Sequence, residues 1–336
     1  MGFLINMIYR VTTRRAFLLS TGALALGIPL RANAQPATRV YRVAMLATAV
    51  GRGAPFMNDL ERRFRELGYV EGKNLAFEFR TAAGRPEKFP EIAAELARNR
   101  PDVAIASGSE LGLKAMRQAM GTTPIVMIAV DFDPLEKNFI ASFARPGGNI
   151  TGVFLRQVES AAKRLELLKE ALPKVTRVAA LFDFATRDQF HGAEDAAKKL
   201  GIALLPHELR GSPYDFEAAL DAAAAAKAQA VLALSSGAFF ALRDKMIGAA
   251  SKHRLPVVAN PNFAEAGALV SFGASFSLLF ERAAEYADRI LKGAKPADLP
   301  VEQPTTYELI VNLKIAKALG IAIPPSVLLR ATRVIE

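Results

Sequence analysis

The chain has no cysteine. That excludes disulfides, thiolate nucleophiles and cysteine-held metal centres. It also excludes a lipid anchor, since no cysteine follows the apolar run near the start. Histidine is scarce: His191, His207 and His253 stand alone and fit no H-E-x-x-H pattern. No Gly-x-Ser-x-Gly elbow surrounds Ser107 or Ser235. No pair of carboxylates has a spacing that specifies glycosidase chemistry. Gly51-x-Gly53 lacks the third glycine of a dinucleotide motif and the lysine of a phosphate loop. It reads as a flexible loop at a cleft edge. No catalytic residues, cofactor or metal set are expected. Long basic runs are also missing. The formal charge is +10, but Arg10, Arg14, Arg15 and Arg31 lie in the first 35 residues with no acids, leaving about +6 for the rest. Those basic residues are scattered among acids, so nucleic acid is not an expected partner.

No apolar run approaches the ~20 residues of a bilayer span. The nearest, Ala16 to Leu30, is broken by Gly22, Gly27 and Pro29. It follows Thr13-Arg14-Arg15-Ala16-Phe17-Leu18 and precedes the small-residue triplet Ala32-Asn33-Ala34. This is the pattern of a twin-arginine export signal. Residues 1–35 are therefore read as a leader cleaved after Ala34. The expected location is the periplasm, and the twin-arginine translocase is the expected partner in export. About 300 residues remain, enough for two domains with separate cores.

From Val40 onward, short apolar strands alternate with helices. Val40–Leu46, Asn74–Phe79, Val103–Ala106 and Ile125–Val130 read as strands. Phe56, Leu60, Phe64 and Leu67 fall at helical spacing, as do Phe89, Ile92, Ala93 and Leu96. Leu111–Met120 is a third helix. Continuous apolar strands between helices predict a parallel sheet covered on both faces. The pattern stops at Ala144-Arg145-Pro146-Gly147-Gly148-Asn149, and Ile150–Phe154 reads as a strand passing to a second domain. There the arrangement repeats. Val103-Ala104-Ile105-Ala106-Ser107-Gly108 corresponds to Val231-Leu232-Ala233-Leu234-Ser235-Ser236, and Pro124-Ile125-Val126 to Pro256-Val257-Val258. Helices are expected over Phe239–Ala250, Leu278–Leu291 and Leu309–Leu319, with a strand at Ala268–Phe272. The fold class expected is α/β: two doubly wound parallel-sheet domains joined by a three-strand hinge. The N-terminal lobe spans 36–149 plus about 268–298. The C-terminal lobe spans 150–267 plus about 299–336. A ligand crevice would face the carboxyl ends of both sheets.

Several phrases resemble one family. They are Glu66-Leu67-Gly68-Tyr69-Val70-Glu71-Gly72-Lys73-Asn74, Ala144 through Gly152, Lys163-Arg164-Leu165-Glu166-Leu167-Leu168-Lys169-Glu170, the tail from Ile290 to Pro304, and Asn312-Leu313-Lys314 with Ala316-Lys317-Ala318-Leu319-Gly320. With this layout the chain resembles the ABC-transporter substrate-binding proteins of the tryptophan- and tyrosine-binding type. The resemblance implies a type I periplasmic-binding-protein fold. It implies capture of a small carboxylate-bearing solute, an aromatic or branched amino acid, for an inner-membrane ABC permease. It also implies a monomer. Two other readings stand beside it: a sensor-type binding protein for an aromatic or other organic acid, and, further off, an exported enzyme.

Candidate ligand contacts sit where strands end. Ser107-Gly108-Ser109 closes a strand and opens a helix, where backbone N–H groups and the positive helix end suit a carboxylate; Ser109 is equally a helix cap. Ser235 and Ser236 are the counterpart in the second lobe. Asp131-Phe132-Asp133-Pro134 follows the fourth strand. The Asp-Pro pair matches the family, so Asp133 is favoured over Asp131 to meet a ligand ammonium. Thr48, Asp183, Phe184, Asn260 and Phe263 end at the same rim. Phe56, Phe132, Phe184, Phe239 and Phe263 are candidate apolar walls, although most of the 21 phenylalanines must serve the core.

Overall fold

The computed structural model describes residues 39–211 and 214–336, so the leader expected at 1–35 lies outside the described residues. Val40–Glu336 form one compact unit built on two sheets. The first part of the chain runs β1 (Tyr41–Ala47), α1 (Pro55–Glu66), β2 (Leu75–Thr81), α2 (Phe89–Arg98), β3 (Val103–Gly108), α3 (Glu110–Met120), β4 (Ile125–Val130) and β5 (Ile150–Leu155). Its five strands lie in the order β2-β1-β3-β4-β5, all parallel. The second part runs α4 (Val158–Ala171), β6 (Arg177–Phe182), α5 (Arg187–Leu200), β7 (Ala203–Glu208), α6 (Phe216–Ala225), β8 (Ala230–Ala233), α7 (Gly237–Ala241), α8 (Arg243–Lys252) and β9 (Val257–Ala259). The last part runs β10 (Val270–Ala274), α9 (Phe276–Leu291), β11 (Tyr307–Asn312), α10 (Leu313–Leu319), α11 (Pro325–Leu328) and β12 (Arg333–Ile335). The second sheet has the order β12-β11-β10-β9-β8-β6-β7.

The physical reason for this layout is the burial pattern. Val43 to Ala47 and Ile125 to Ala129 are buried without interruption, which requires cover on both faces. The helices supply it through single stripes. On α1 the stripe is Phe56, Met57, Leu60 and Phe64, behind a proline at the first helical turn. Each sheet accordingly separates two apolar clusters.

The three crossings between lobes fall at other residues than expected. β5 is the edge strand of the first sheet, paired with β4 from Ile125↔Ile150 to Val130↔Leu155. The Asn149 side chain pins its start by donating to the carbonyls of Gly121 (2.9 Å) and Thr123 (2.8 Å). The first crossing between lobes therefore follows Leu155. β10 pairs with β9 in the second sheet, while α9 packs its buried Phe280, Ala283 and Tyr286 into the first lobe. The second crossing is thus at Ala274–Ser275. Leu299 and Val301 return to the first lobe, and Glu302 pairs with Val153, so the third crossing follows Glu302. Sheet membership assigns 40–155 with 276–302 to one lobe and 156–275 with 303–336 to the other, a shift of a few residues at each expected boundary.

The helix expected over Leu309–Leu319 begins only at Leu313. Leu309, Ile310 and Val311 are all buried and run antiparallel to β10, and the Asn312 side chain caps α10 by accepting from Ile315 N at 3.1 Å. The helix expected over Phe239–Ala250 is broken at Leu242 into α7 and α8. Among the described residues no helix is long and apolar enough to cross a membrane.

Candidate functional site

The carboxyl ends of both sheets open onto a cavity of about 350 Å³ between the lobes. Its first-lobe floor is a lock between β1 and β3. Thr48 Oγ1 donates to Ser107 O (3.1 Å) and accepts from Ser109 N (2.9 Å). Gly108 makes this possible. It has φ +110, and a Cβ there would lie 2.3 Å from Thr48 Oγ1. Ser109 Oγ caps α3 by accepting from Gly112 N at 3.4 Å. Thr48, Ser107, Gly108 and Ser109 all line the cavity. The Ser109 N–H, expected to face a ligand carboxylate, is instead held by Thr48. The first turn of α3 still faces the cavity through Glu110 and Leu111.

Across the cleft, Ser235, Ser236 and Asn260 line the second-lobe wall. Gln189 clamps Ser235, accepting from its N–H at 2.9 Å and donating to its carbonyl at 3.4 Å. Asn260 Nδ2 donates to Ser235 Oγ at 3.2 Å. Ser236 Oγ accepts from Ala238 N at 3.2 Å and donates to Asp183.

Three expected contacts are placed elsewhere. Asp183 is only 2% exposed and does not line the cavity. It receives the hydroxyls of Ser236 and of Tyr214 (3.1 Å) and N–H of Ala185 (3.1 Å), so it braces the wall from behind. The Tyr214 hydroxyl is pushed up by burial and by Asp183 beside it. Phe263 is fully buried in the second lobe's core, as is Phe239. Asp133 accepts from Leu135 N (2.8 Å) and Glu136 N (3.3 Å), a turn-forming role beside Pro134. It lies in a neighbouring groove, outside the main cavity.

Asp131 is the acid that reaches the cavity. It takes φ +63, unusual for a side-chain-bearing residue. Its N–H donates to Leu155 O at 2.8 Å, anchoring it to the last first-sheet strand. Its carboxylate accepts from Gln157 N (3.0 Å), Gln157 Nε2 (3.2 Å) and Gln189 Nε2 (2.7 Å), all from the second lobe. Burial pushes its pKa up to about 6, against these hydrogen bonds. One first-lobe acid thus carries three hydrogen bonds across the cleft.

Part of the cavity wall is aromatic. Phe56 of α1 meets Phe240 of α7 at 5.1 Å, Phe276 of α9 at 5.8 Å and Phe280 at 4.6 Å between ring centroids. All four line the cavity. Phe132 and Phe184 line it too, Phe184 with 61% of its surface exposed. Phe240, Phe276 and Phe280 escape the sequence reading. The spacing of Phe276 and Phe280 on one helical face is a signal that could have found the last two. Among the described residues no lysine, arginine or histidine lines the cavity, and Glu110 and Asp131 are the charged residues that do. No cluster of metal-ligating side chains occurs among the described residues. The arrangement can hold a flat apolar group against the rings and offers an acid to a polar, amine-bearing group.

Comparison with known proteins agrees with the architecture. The family model for ABC transporter substrate binding proteins matches residues 57–335. A tyrosine-binding protein of Clostridioides difficile is 24% identical over 262 residues, 77% of this chain and 74% of that one. A conserved domain protein of Vibrio cholerae superposes with a TM-score of 0.78 at 29% identity, covering 88% of this chain and 100% of its own. A streptococcal ABC domain in complex with L-Trp superposes with a TM-score of 0.75 at 23% identity, again over 88% of this chain and 100% of its own. Two parallel-dominated sheets with three crossings are the type I periplasmic-binding-protein fold. Members of the family bind small molecules and work with ABC permeases. The chain belongs to the ABC transporter substrate-binding protein family.

Proposed function

We propose that this protein captures an aromatic α-amino acid in the cleft by closure of its two lobes and delivers it to an inner-membrane ABC permease. The observation that carries this reading is the polarity of the cavity. Its lining combines a cluster of four phenylalanines with hydroxyls, amides and the Asp131 carboxylate. An apolar ring gains by burial against the phenylalanines. An ammonium gains by pairing with an acid in a cleft lined by no competing cation among the described residues. Hydroxyls and amides of Ser235 and Asn260 remain for the carboxylate. A plain organic acid would meet two carboxylates and no positive side chain, which disfavours the sensor-type alternative. The names of two relatives, a tyrosine-binding protein and an L-Trp complex, support the same solute class.

Closure has its own support. Leu111 and Phe184 line the cleft from opposite lobes with 53% and 61% of their surfaces exposed. Swinging the lobes together would bury both around the solute. Solute contacts made only in the closed form supply the differential affinity that closure needs. Delivery to a permease requires an extracytoplasmic location, for which the Arg14-Arg15 leader is the proposed route. Replacing both arginines by lysine should leave the protein in the cytoplasm on cell fractionation; unchanged export would remove that route.

A thermal-shift screen over amino acids and aromatic acids tests the solute class. Saturating L-tryptophan or L-tyrosine, at a hundred times its dissociation constant, should stabilise the fold by about 2.7 kcal/mol. Indole-3-propionate, which lacks the amine, should not. Stabilisation by the acid and none by any aromatic amino acid would overturn the reading.

A further inference from the structure

Beneath the cleft lies a charge that the solute contacts do not use. Arg164 of α4 is fully buried. Its Nε donates to Phe272 O at 2.8 Å, but Nη1 and Nη2 have no hydrogen-bond partner among the described residues. Isolated burial of a guanidinium is costly unless the charge serves something. Gly273, where β10 is about to cross between lobes, leaves the room it fills. A Cβ there would lie 3.2 Å from Arg164 Nη2 and 3.2 Å from Pro261 Cδ.

The geometry of α4 says where that charge acts. Gln157, which grips Asp131 through its N–H and side chain, caps the start of α4. Arg164 is seven residues further on, two turns away on the same face. The residues between them on that face, Ser160 and Ala161, are small and buried. Helical side chains lean toward the N-terminus, so Arg164 leans back along α4 toward the end where Gln157 holds Asp131. The two charges influence one another: Arg164 favours the ionised form of Asp131, and Asp131 partly offsets the burial that pushes Arg164 down to about 10.

We propose that Arg164 is a positioning residue for solute capture, whose buried guanidinium acts through Asp131 to keep a negative carboxylate facing the solute's amine. Arg164 touches no solute; it sits behind the acid that does. This rests on the reading of the cleft as an amine-recognising site, and the test separates the two. The other charged groups on the rim around Asp131 are Glu110 of α3, paired with Lys137 at 3.1 Å; Asp133 and Glu136 of the following loop; Arg156 of the first crossing; and Asp188 and His191 of α5. None is buried behind the carboxylate as Arg164 is.

The test uses Arg164→Met, which keeps the length and loses the charge, and Arg164→Lys, which keeps the charge. Because the His191 imidazole shares the rim, all proteins carry His191→Gln. In solute-free protein, the ¹³C-carboxyl titration of Asp131 should move up by about one pH unit in Arg164→Met and return in Arg164→Lys. L-Tryptophan affinity of Arg164→Met should fall about threefold at pH 6.5, following the lost carboxylate fraction, and match the parent at pH 8.5. An Asp131 midpoint that does not move would overturn the proposal. So would a tryptophan loss of equal size at both pH values, which is what a structural role alone would give. If the parent protein binds no aromatic amino acid, the functional reading fails, and the carboxyl titration still decides the role of Arg164.

Discussion

At the scale of single residues, Asp131 matters most. It lines the cavity, it takes a left-handed backbone, and every hydrogen bond its carboxylate accepts comes from the other lobe. Burial raises its pKa from an ordinary 3.8 to about 6. The folded protein therefore holds that proton more tightly than the unfolded chain. Its contribution to stability is full below about 3.8 and is lost as pH rises toward 6. The loss is at most about 3 kcal/mol, less whatever cleft water screens. Asp131→Asn keeps the shape and tolerates the backbone. It should lack this decline, so its unfolding midpoint should gain on the parent between pH 4 and 6.5. Its affinity for L-tryptophan at pH 7 should fall about tenfold or more, as expected for a lost charge-assisted contact. Equal affinities by calorimetry would remove Asp131 from the site. The sequence favours Asp133 over Asp131, whereas Asp131 is the one that lines the cavity. Asp-Pro is both a turn former and a site signal, and only the fold shows that Asp133 satisfies its own turn.

At the scale of elements, most of the layout was legible because it follows from burial pattern. Strands buried on both faces read as short apolar runs, and α1, α2 and α9 show clear stripes. Signals failed where tertiary contacts outweighed local preference. Leu309 to Asn312 fits a helix by spacing but becomes a strand because β10 offers it an edge. Ile150–Phe154 reads as a connecting strand because the turn before it resembles a domain boundary, yet it pairs with β4 as the edge of the first sheet. The break at Leu242 mattered most for the site. It turns α7 so that Phe240 leaves its own lobe and joins the first lobe's cluster at 7% exposure, with the Arg243 guanidinium 4.6 Å from its ring centroid. A continuous helix gives no reason to choose Phe240 over Phe239. Phe240→Ala should remove both a cavity wall and a contact between lobes. It should weaken L-tryptophan binding by about 2 kcal/mol or more, the scale of a truncated hot-spot aromatic. Phe239→Ala, inside the second lobe's core, should lower the unfolding midpoint by more while acting on affinity less. The reverse ranking would show that α7 does not serve the site.

At the scale of the whole molecule, a repeated design places two strand-end rims face to face. The sequence correspondence between Val103–Gly108 and Val231–Ser236 reflects this, since each segment ends a central strand at the cleft. Gln157, just after the first crossing, holds Asp131, and Arg164 holds the Phe272 carbonyl just before the second. The aromatic cluster bridges the lobes through Phe56 and Phe240, while Leu111 and Phe184 remain exposed at the lips. Ligand-driven closing of those lips is the central claim. Small-angle X-ray scattering on the purified protein, titrated with L-tryptophan and L-tyrosine, tests it most directly. The account predicts a radius of gyration that falls and saturates as one equivalent binds. A radius that stays the same at saturation, with binding confirmed by calorimetry on the same samples, would contradict it.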